Sequence, residues 1–216
     1  MTIDTASISR IDLPYKNLIL TGSLGAGKTT VGRYIGLQLG VDFFDLDEEI
    51  EVRELMSISK IRELYGDSHL RSLEYNLCRQ AALMRRAVVV IPGDAMLDPR
   101  NFGVFSEVGQ IVCLICELGE ALRRLHLVSE QHYRDASIRR RMLSRVRREY
   151  AIADDPRVLK FDITHMTIEE EANLLITLWA SGEPDENHFH YGARQSIKPP
   201  AKTTVGLSGP KQSTKA

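Results

Sequence analysis

A chain of 216 residues, 43% apolar and 26% charged, is long enough for one domain with a full core, which excludes fibrous and wholly disordered classes. Its formal net charge of -1 gives no general attraction to polyanions, so neither nucleic acid nor a membrane is an expected partner and any anion recognition is local. Cys78, Cys113 and Cys116 suit a reducing compartment, and without a secretory or membrane-spanning apolar run the expected location is cytoplasmic.

Residues 1–15 are polar, broken by Pro14, and read as a flexible N-terminal segment. "NLILTG" then reads as a buried strand and "KTTVGRYIGLQLG" as a helix, with Val31, Ile35 and Leu39 four apart and Gly40 as its stop. Between them lies "GSLGAGKT", a G-x-x-x-x-G-K-[ST] phosphate loop. Gly22, Gly25 and Gly27 free the backbone so that N–H groups through Ala26 and Thr30 can turn toward phosphate oxygens, aided by the helix dipole. Lys28 reaches the β and γ phosphates, and the Thr29 hydroxyl suits the Mg²⁺ that accompanies a nucleotide. Bound ATP with Mg²⁺ is therefore the base expectation.

The next apolar run, "VDFFDLD", ends on Asp45 and Asp47. As a strand beside the first it would turn both carboxylates to the ligand crevice, opposite Phe44 and Leu46. "EEIEVRELM" and "SHLRSLEYNLCRQAALMRR" read as helices of an acceptor-binding insert, with Ser57 or Ser59 starting a short helix between them. "AVVVIPG" and "QIVCLICEL" supply strands three and four; positions three apart on a strand face opposite sides, so Cys113 and Cys116 read as core residues and not as a metal pair.

Helices "GEALRRLHL" and "SIRRRMLSRVRREYAIA" follow, separated by the polar "VSEQHYRDA", which suits a mobile cover. From Arg123 to Arg148 there are nine arginines, no lysine and two acids, Glu130 and Asp135. Arginine holds carboxylates and phosphates bidentately, so this run suits a small anionic ligand. "RVLKFDI" is a fifth strand, and "TIEEEANLLITLWA" a last helix with Leu174, Leu175, Leu178 and Trp179 inward. Residues 181–216, rich in Gly, Pro, Ser, Thr and Lys, read as a disordered basic tail in which His188 and His190 have no third ligand nearby. The alternation predicts an α/β fold, a five-stranded parallel sheet with helices on both faces, in one domain over residues 16–180, with the motifs at the carboxyl ends of the strands.

At the two aspartates the sequence resembles the shikimate kinase family of phosphate-loop kinases, over about residues 16 to 180. That family follows its phosphate loop with D-T-D, here Asp45, Leu46 and Asp47, and then G-E-x-x-F-R-x-x-E, matched by "GDSHLRSLE" from Gly66 to Glu74. Arg71 falls 24 residues after Asp47, as in the family. The resemblance implies that Asp45 holds Mg²⁺ through water, that Asp47 binds the acceptor hydroxyls and acts as or near the general base, that Arg71 pairs with the substrate carboxylate, and that Glu74 orients Arg71. It makes Arg123 or Arg124 the adenine-stacking arginine.

The family's R-x-P-L-Y segment precedes an Ala-Asp pair. Matching that pair to Ala153 and Asp154 puts Arg145 in the second carboxylate-binding role, with Arg147 as the alternative, and replaces Pro-Leu-Tyr by Arg147, Arg148 and Glu149. Two further departures bear on function. Where the family has Gly-Gly-Gly, with N–H groups facing the substrate, this chain has Pro92, Gly93 and Asp94, so that Gly93 keeps the contact, Pro92 has no N–H and Asp94 adds negative charge. The cover lacks the family's R-P-L-L and offers only Arg134. The implied function is ATP-dependent phosphorylation of the shikimate 3-hydroxyl in aromatic amino acid biosynthesis by a monomer. The departures leave two alternatives: a nucleotide- or aromatic-acid-binding regulatory domain, and a kinase of another small hydroxy acid.

Overall fold

The fold is described by a computed structural model, which covers residue 14 and residues 16–128 and 136–191. Six strands form one sheet: β1 (Asn17–Gly22), β2 (Phe43–Asp45), β3 (Val88–Val90), β4 (Gly109–Ile115), β5 (Leu159–Asp162) and β6 (Phe189–Tyr191). Their spatial order is β2-β3-β1-β4-β5-β6, parallel throughout except that β6 runs antiparallel to β5. The helices are α1 (Lys28–Leu39), α2 (Leu46–Glu54), α3 (Ile58–Ala81), α4 (Gly93–Met96), α5 (Pro99–Val108), α6 (Leu118–Val128), α7 (Ala136–Tyr150) and α8 (Ile168–Ser181).

Both faces of the sheet are covered, which is why the strands read as continuous apolar runs and not as alternating ones. Leu18, Leu20, Val88, Val90 and Phe161 pack on one side with Val31 and Ile35 of α1 and Trp179 of α8. Ile19 and Val89 face the other side with Ile50, Ile61, Leu77 and Phe105. Cys113 joins the second cluster and Cys116 the first, both buried, as three-residue spacing on a strand requires. Leu175, Leu178 and Trp179 are fully buried, whereas Leu174 is only partly so.

Three expectations need correction. The sheet has six strands and not five: Phe189 is buried and stacks on Phe161 with ring centroids 4.6 Å apart, so ordered structure continues to Tyr191, past the expected tail boundary at 181. Pro184 and the polar residues around it mask this short strand in the sequence. The rest of the expected tail, and residues 1–13 of the N-terminal segment, lie outside the described residues. Second, β2 lies beside β3 and not β1, because β3 inserts between them. Third, the strand ends at Asp45, whose carboxylate accepts from the N–H groups of Asp47 and Glu48 and caps α2. Side-chain alternation therefore does not set the direction of Asp47.

The chain builds β1, β2 and β3 on one side and then crosses to place β4 and β5 on the other, so the crevice at the carboxyl end of β1 lies at the switch in strand order, where open α/β sheets bind ligands. Within α3, Gly66 (φ 81°, ψ 171°) breaks the helix. The break re-aims the segment that carries Asp67, Arg71 and Glu74, and Ser57 caps the preceding turn.

Candidate active site

The phosphate loop closes between β1 and α1 as its sequence requires. Gly22 has φ 129°, and a Cβ there would stand 2.3 Å from the Leu114 carbonyl oxygen, so no other residue fits. Lys28 is buried, and its ammonium donates to the carbonyls of Gly22 (3.0 Å) and Ser23 (2.8 Å). The Ser23 hydroxyl is buried without a partner, a donor that a phosphate oxygen can satisfy. Gly25 and Ala26 complete the turn, Gly27 is the N-cap of α1, and Thr30 is exposed in the first turn.

The Thr29 hydroxyl donates to Asp45 Oδ2 at 2.7 Å, while Oδ1 of the same carboxylate caps α2. One short bridge thus ties the phosphate loop to the second strand, and it presents hard oxygen donors beside the position of the phosphates. Among the described residues no cluster of three His, Cys, Asp or Glu could hold a metal alone. A hydroxyl, one carboxylate and nucleotide phosphates are what Mg²⁺ typically uses, and these residues fit it.

Arg124 lies over the loop, its Nη1 3.6 Å from where a Cβ on Gly27 would sit. It is held by Glu120 at 2.9 Å. Arg123 is exposed and turned to Glu120, so of the two only Arg124 meets the loop. Hydrogen bonds from Arg123 first, and then Arg124, pull the Glu120 carboxyl down to about 2.

On the acceptor side, a cavity of about 410 Å³ opens between α3, α4, α5 and α7. Arg62, Arg71 and Arg148 line it with Asp67, Glu74 and Asp94, a mixed rim suited to a small molecule with both a carboxylate and hydroxyls. Burial first, and then the nearby charges of Asp94 and Asp47, push the Glu74 carboxyl up to about 7 against the pull of Arg62 and Arg71. No hydrogen bond joins Glu74 to Arg71 among the described residues, so the orienting role expected for Glu74 is not made here through a direct bond.

Behind this cavity a line of alternating charges reaches the phosphate loop. Arg145 donates to Asp47 Oδ2 through Nη2 and to Glu149 Oε1 through Nε. Glu149 is fully buried and sets its other oxygen 3.9 Å from Lys28 Nζ. Burial lowers the Arg145 guanidinium, but Asp47 and Glu149 outweigh it and the net shift is upward, so Arg145 stays charged at any working pH. Arg147 is exposed and has no ion pair among those described, and neither it nor Arg145 is among the residues that line the cavity. Gly93 starts α4 tight against α7: a Cβ there would fall 2.1 Å from the Glu149 carbonyl oxygen. The cover segment "VSEQHYRDA", with Arg134, falls almost wholly outside the described residues.

Three participants received no individual role from the sequence reading. Arg148 pairs with Asp94 at 3.2 Å, so two of the departures described above meet each other. Glu149 was legible only as an (i, i+4) partner of Arg145, and Arg62 carried no signal at all.

Residues 24–176 match the family described as "Shikimate kinase". The chain belongs to the shikimate kinase family. Among its relatives, the shikimate kinase of Geobacter metallireducens is 33% identical over 157 residues, spanning 72% of this chain and 87% of that protein. The shikimate kinase of Geobacter sulfurreducens is 39% identical over 110 residues, which is 51% of this chain and 61% of the relative's length. Of solved structures, shikimate kinase from Bacteroides thetaiotaomicron superposes with a TM-score of 0.64 at 25% identity, covering 76% of this chain and 98% of that one. Shikimate kinase from Acinetobacter baumannii, solved in complex with shikimate, gives 0.63 at 22% identity over 84% and 100% of the two chains, and shows the shared fold. No helix among the described residues is long and apolar enough to cross a membrane.

Proposed function

We propose that this shikimate kinase family member transfers the γ-phosphoryl group of Mg-ATP to the 3-hydroxyl of shikimate. The observation that carries the reading is the 2.7 Å bond from Thr29 to Asp45, which sets the phosphate loop two residues from Asp47. Lys28 and the loop N–H groups hold the phosphates, Thr29 and Asp45 hold Mg²⁺, and Arg124 covers the base. When bound, Mg²⁺ offsets charge on the phosphate oxygens. Asp47 receives the acceptor hydroxyl and its proton, while Arg71 and Arg145 hold the acceptor carboxylate and Gly93 borders it. Positioning of this kind supplies most of the acceleration in phosphoryl transfer.

The charge that Asp94 brings to the acceptor site is paired with Arg148, which answers one of the grounds for a non-catalytic regulatory reading, beside Pro92 and the altered cover. The test is ADP release from Mg-ATP with shikimate and, separately, with gluconate. Shikimate-dependent release is expected. Release with gluconate alone would make the protein a kinase of another hydroxy acid, and tight shikimate binding without release would make it a binding domain.

A further inference from the structure

Among the described residues, Glu149 reaches toward both the phosphate-loop Lys28 and the Arg145–Asp47 pair. It is a fully buried carboxylate whose Oε1 accepts from Arg145 Nε. Its Oε2 has no hydrogen-bond partner and faces the Lys28 ammonium at 3.9 Å. An unsatisfied buried carboxylate oxygen is costly and calls for an explanation. The side chain is fully enclosed, and the backbone that carries it is packed against Gly93, where a Cβ would fall 2.1 Å from the Glu149 carbonyl oxygen. Burial raises its pKa, and Lys28 and Arg145 offset only part of that shift, so the net direction is upward.

Two consequences follow from electrostatics. A phosphate chain and Glu149 compete for one ammonium, so the carboxylate holds Lys28 back from the nucleotide. At the other end, Glu149 fixes the guanidinium of Arg145 at Nε, so that Nη2 is directed at Asp47, the residue proposed above to receive the acceptor hydroxyl. We propose that Glu149 is a positioning residue shared by the two sites, restraining Lys28 at the phosphate loop and aiming Arg145 at the carboxylate-bearing acceptor.

Glu149→Gln keeps the shape and the acceptor oxygen but removes the charge. Affinities for Mg-AMP-PNP and for shikimate are measured separately by calorimetry on the wild-type protein and the variant. Loss of one competing ion pair of this kind is expected to tighten Mg-AMP-PNP binding about threefold, and loss of the charged hold on Arg145 to weaken shikimate binding about fivefold or more. General structural damage would weaken both ligands together, so the opposite signs identify the positioning role. Equal weakening of both, or no change in either, would overturn it. Glu149→Met removes the same charge at similar volume, and it gives the same pair of shifts should the glutamine variant not fold. Only the shikimate arm rests on the function proposed above. If wild-type protein binds no shikimate, that reading fails, while tighter nucleotide binding by the variant still supports restraint of Lys28 and unchanged binding still refutes it.

Discussion

The Asp94 carboxylate lies 3.2 Å from the Arg148 guanidinium, with side-chain exposures of 17% and 49%. A half-exposed pair of this kind adds only about 0.5–1 kcal/mol to stability. Its larger effect is on the cavity, because Asp94 also raises the pKa of Glu74, and an unpaired Asp94 would repel an anionic acceptor. Arg148→Ala should therefore raise the KM for shikimate several-fold and leave the KM for ATP nearly unchanged. The double variant Asp94→Gly/Arg148→Ala should sit closer to wild type than Arg148→Ala does, since removing both charges removes the repulsion. Steady-state kinetics on the three variants check this, and strictly additive effects would show that the two residues act independently. The sequence displays both departures, but 54 positions apart, and only the fold shows that they cancel. Lys28 stands out through the spacing of the phosphate loop itself, and Asp45 and Arg71 through resemblance to the family's motifs, whereas the cavity positions of Arg62 and Arg148 depend on which helices meet.

Among the elements, α8 carries a charge problem of its own. Thr167 and Glu170 form a capping box at its start, a pattern visible in the sequence. The next residue, Glu171, is buried, and desolvation pushes its carboxyl up to about 7 despite Arg124 nearby. The folded protein then holds a proton that the unfolded chain releases near 4.5. The resulting stabilisation is complete below that value and is lost as pH rises through about 7. Glu171→Gln should abolish this dependence. Denaturant unfolding at pH 5 and pH 8 should show the wild-type protein losing about 2–3 kcal/mol relative to the variant between the two values; parallel pH profiles would contradict the assignment. Element boundaries were less legible than element types. β2 stops at Asp45 because Asp45, with Glu48 three residues on, starts a helix, and that cap signal outweighed the apparent continuation of the strand through Leu46 and Asp47.

At the scale of the molecule, the parallel sheet collects every functional segment at one end. The phosphate loop follows β1, the Asp45 cap follows β2 and α4 follows β3; α7 then closes against α4, where Gly93 meets Glu149. The layered architecture was legible in the alternation of apolar runs with helical periodicity. The order of the strands was not, since β2 precedes β3 in the chain and yet pairs only with it. The sixth strand also escaped, because three residues anchored by one phenylalanine leave no periodic pattern. The proposed function needs an acceptor hydroxyl held at Asp47 beside a phosphate chain held at Lys28. The most direct test is shikimate-dependent ADP release by the wild-type protein and Asp47→Asn, with Mg-ATP binding measured on both. Loss of the base should cut kcat by roughly 100-fold or more and leave nucleotide affinity within about twofold. Undiminished turnover in Asp47→Asn would contradict the role of Asp47 and the transfer geometry built on it.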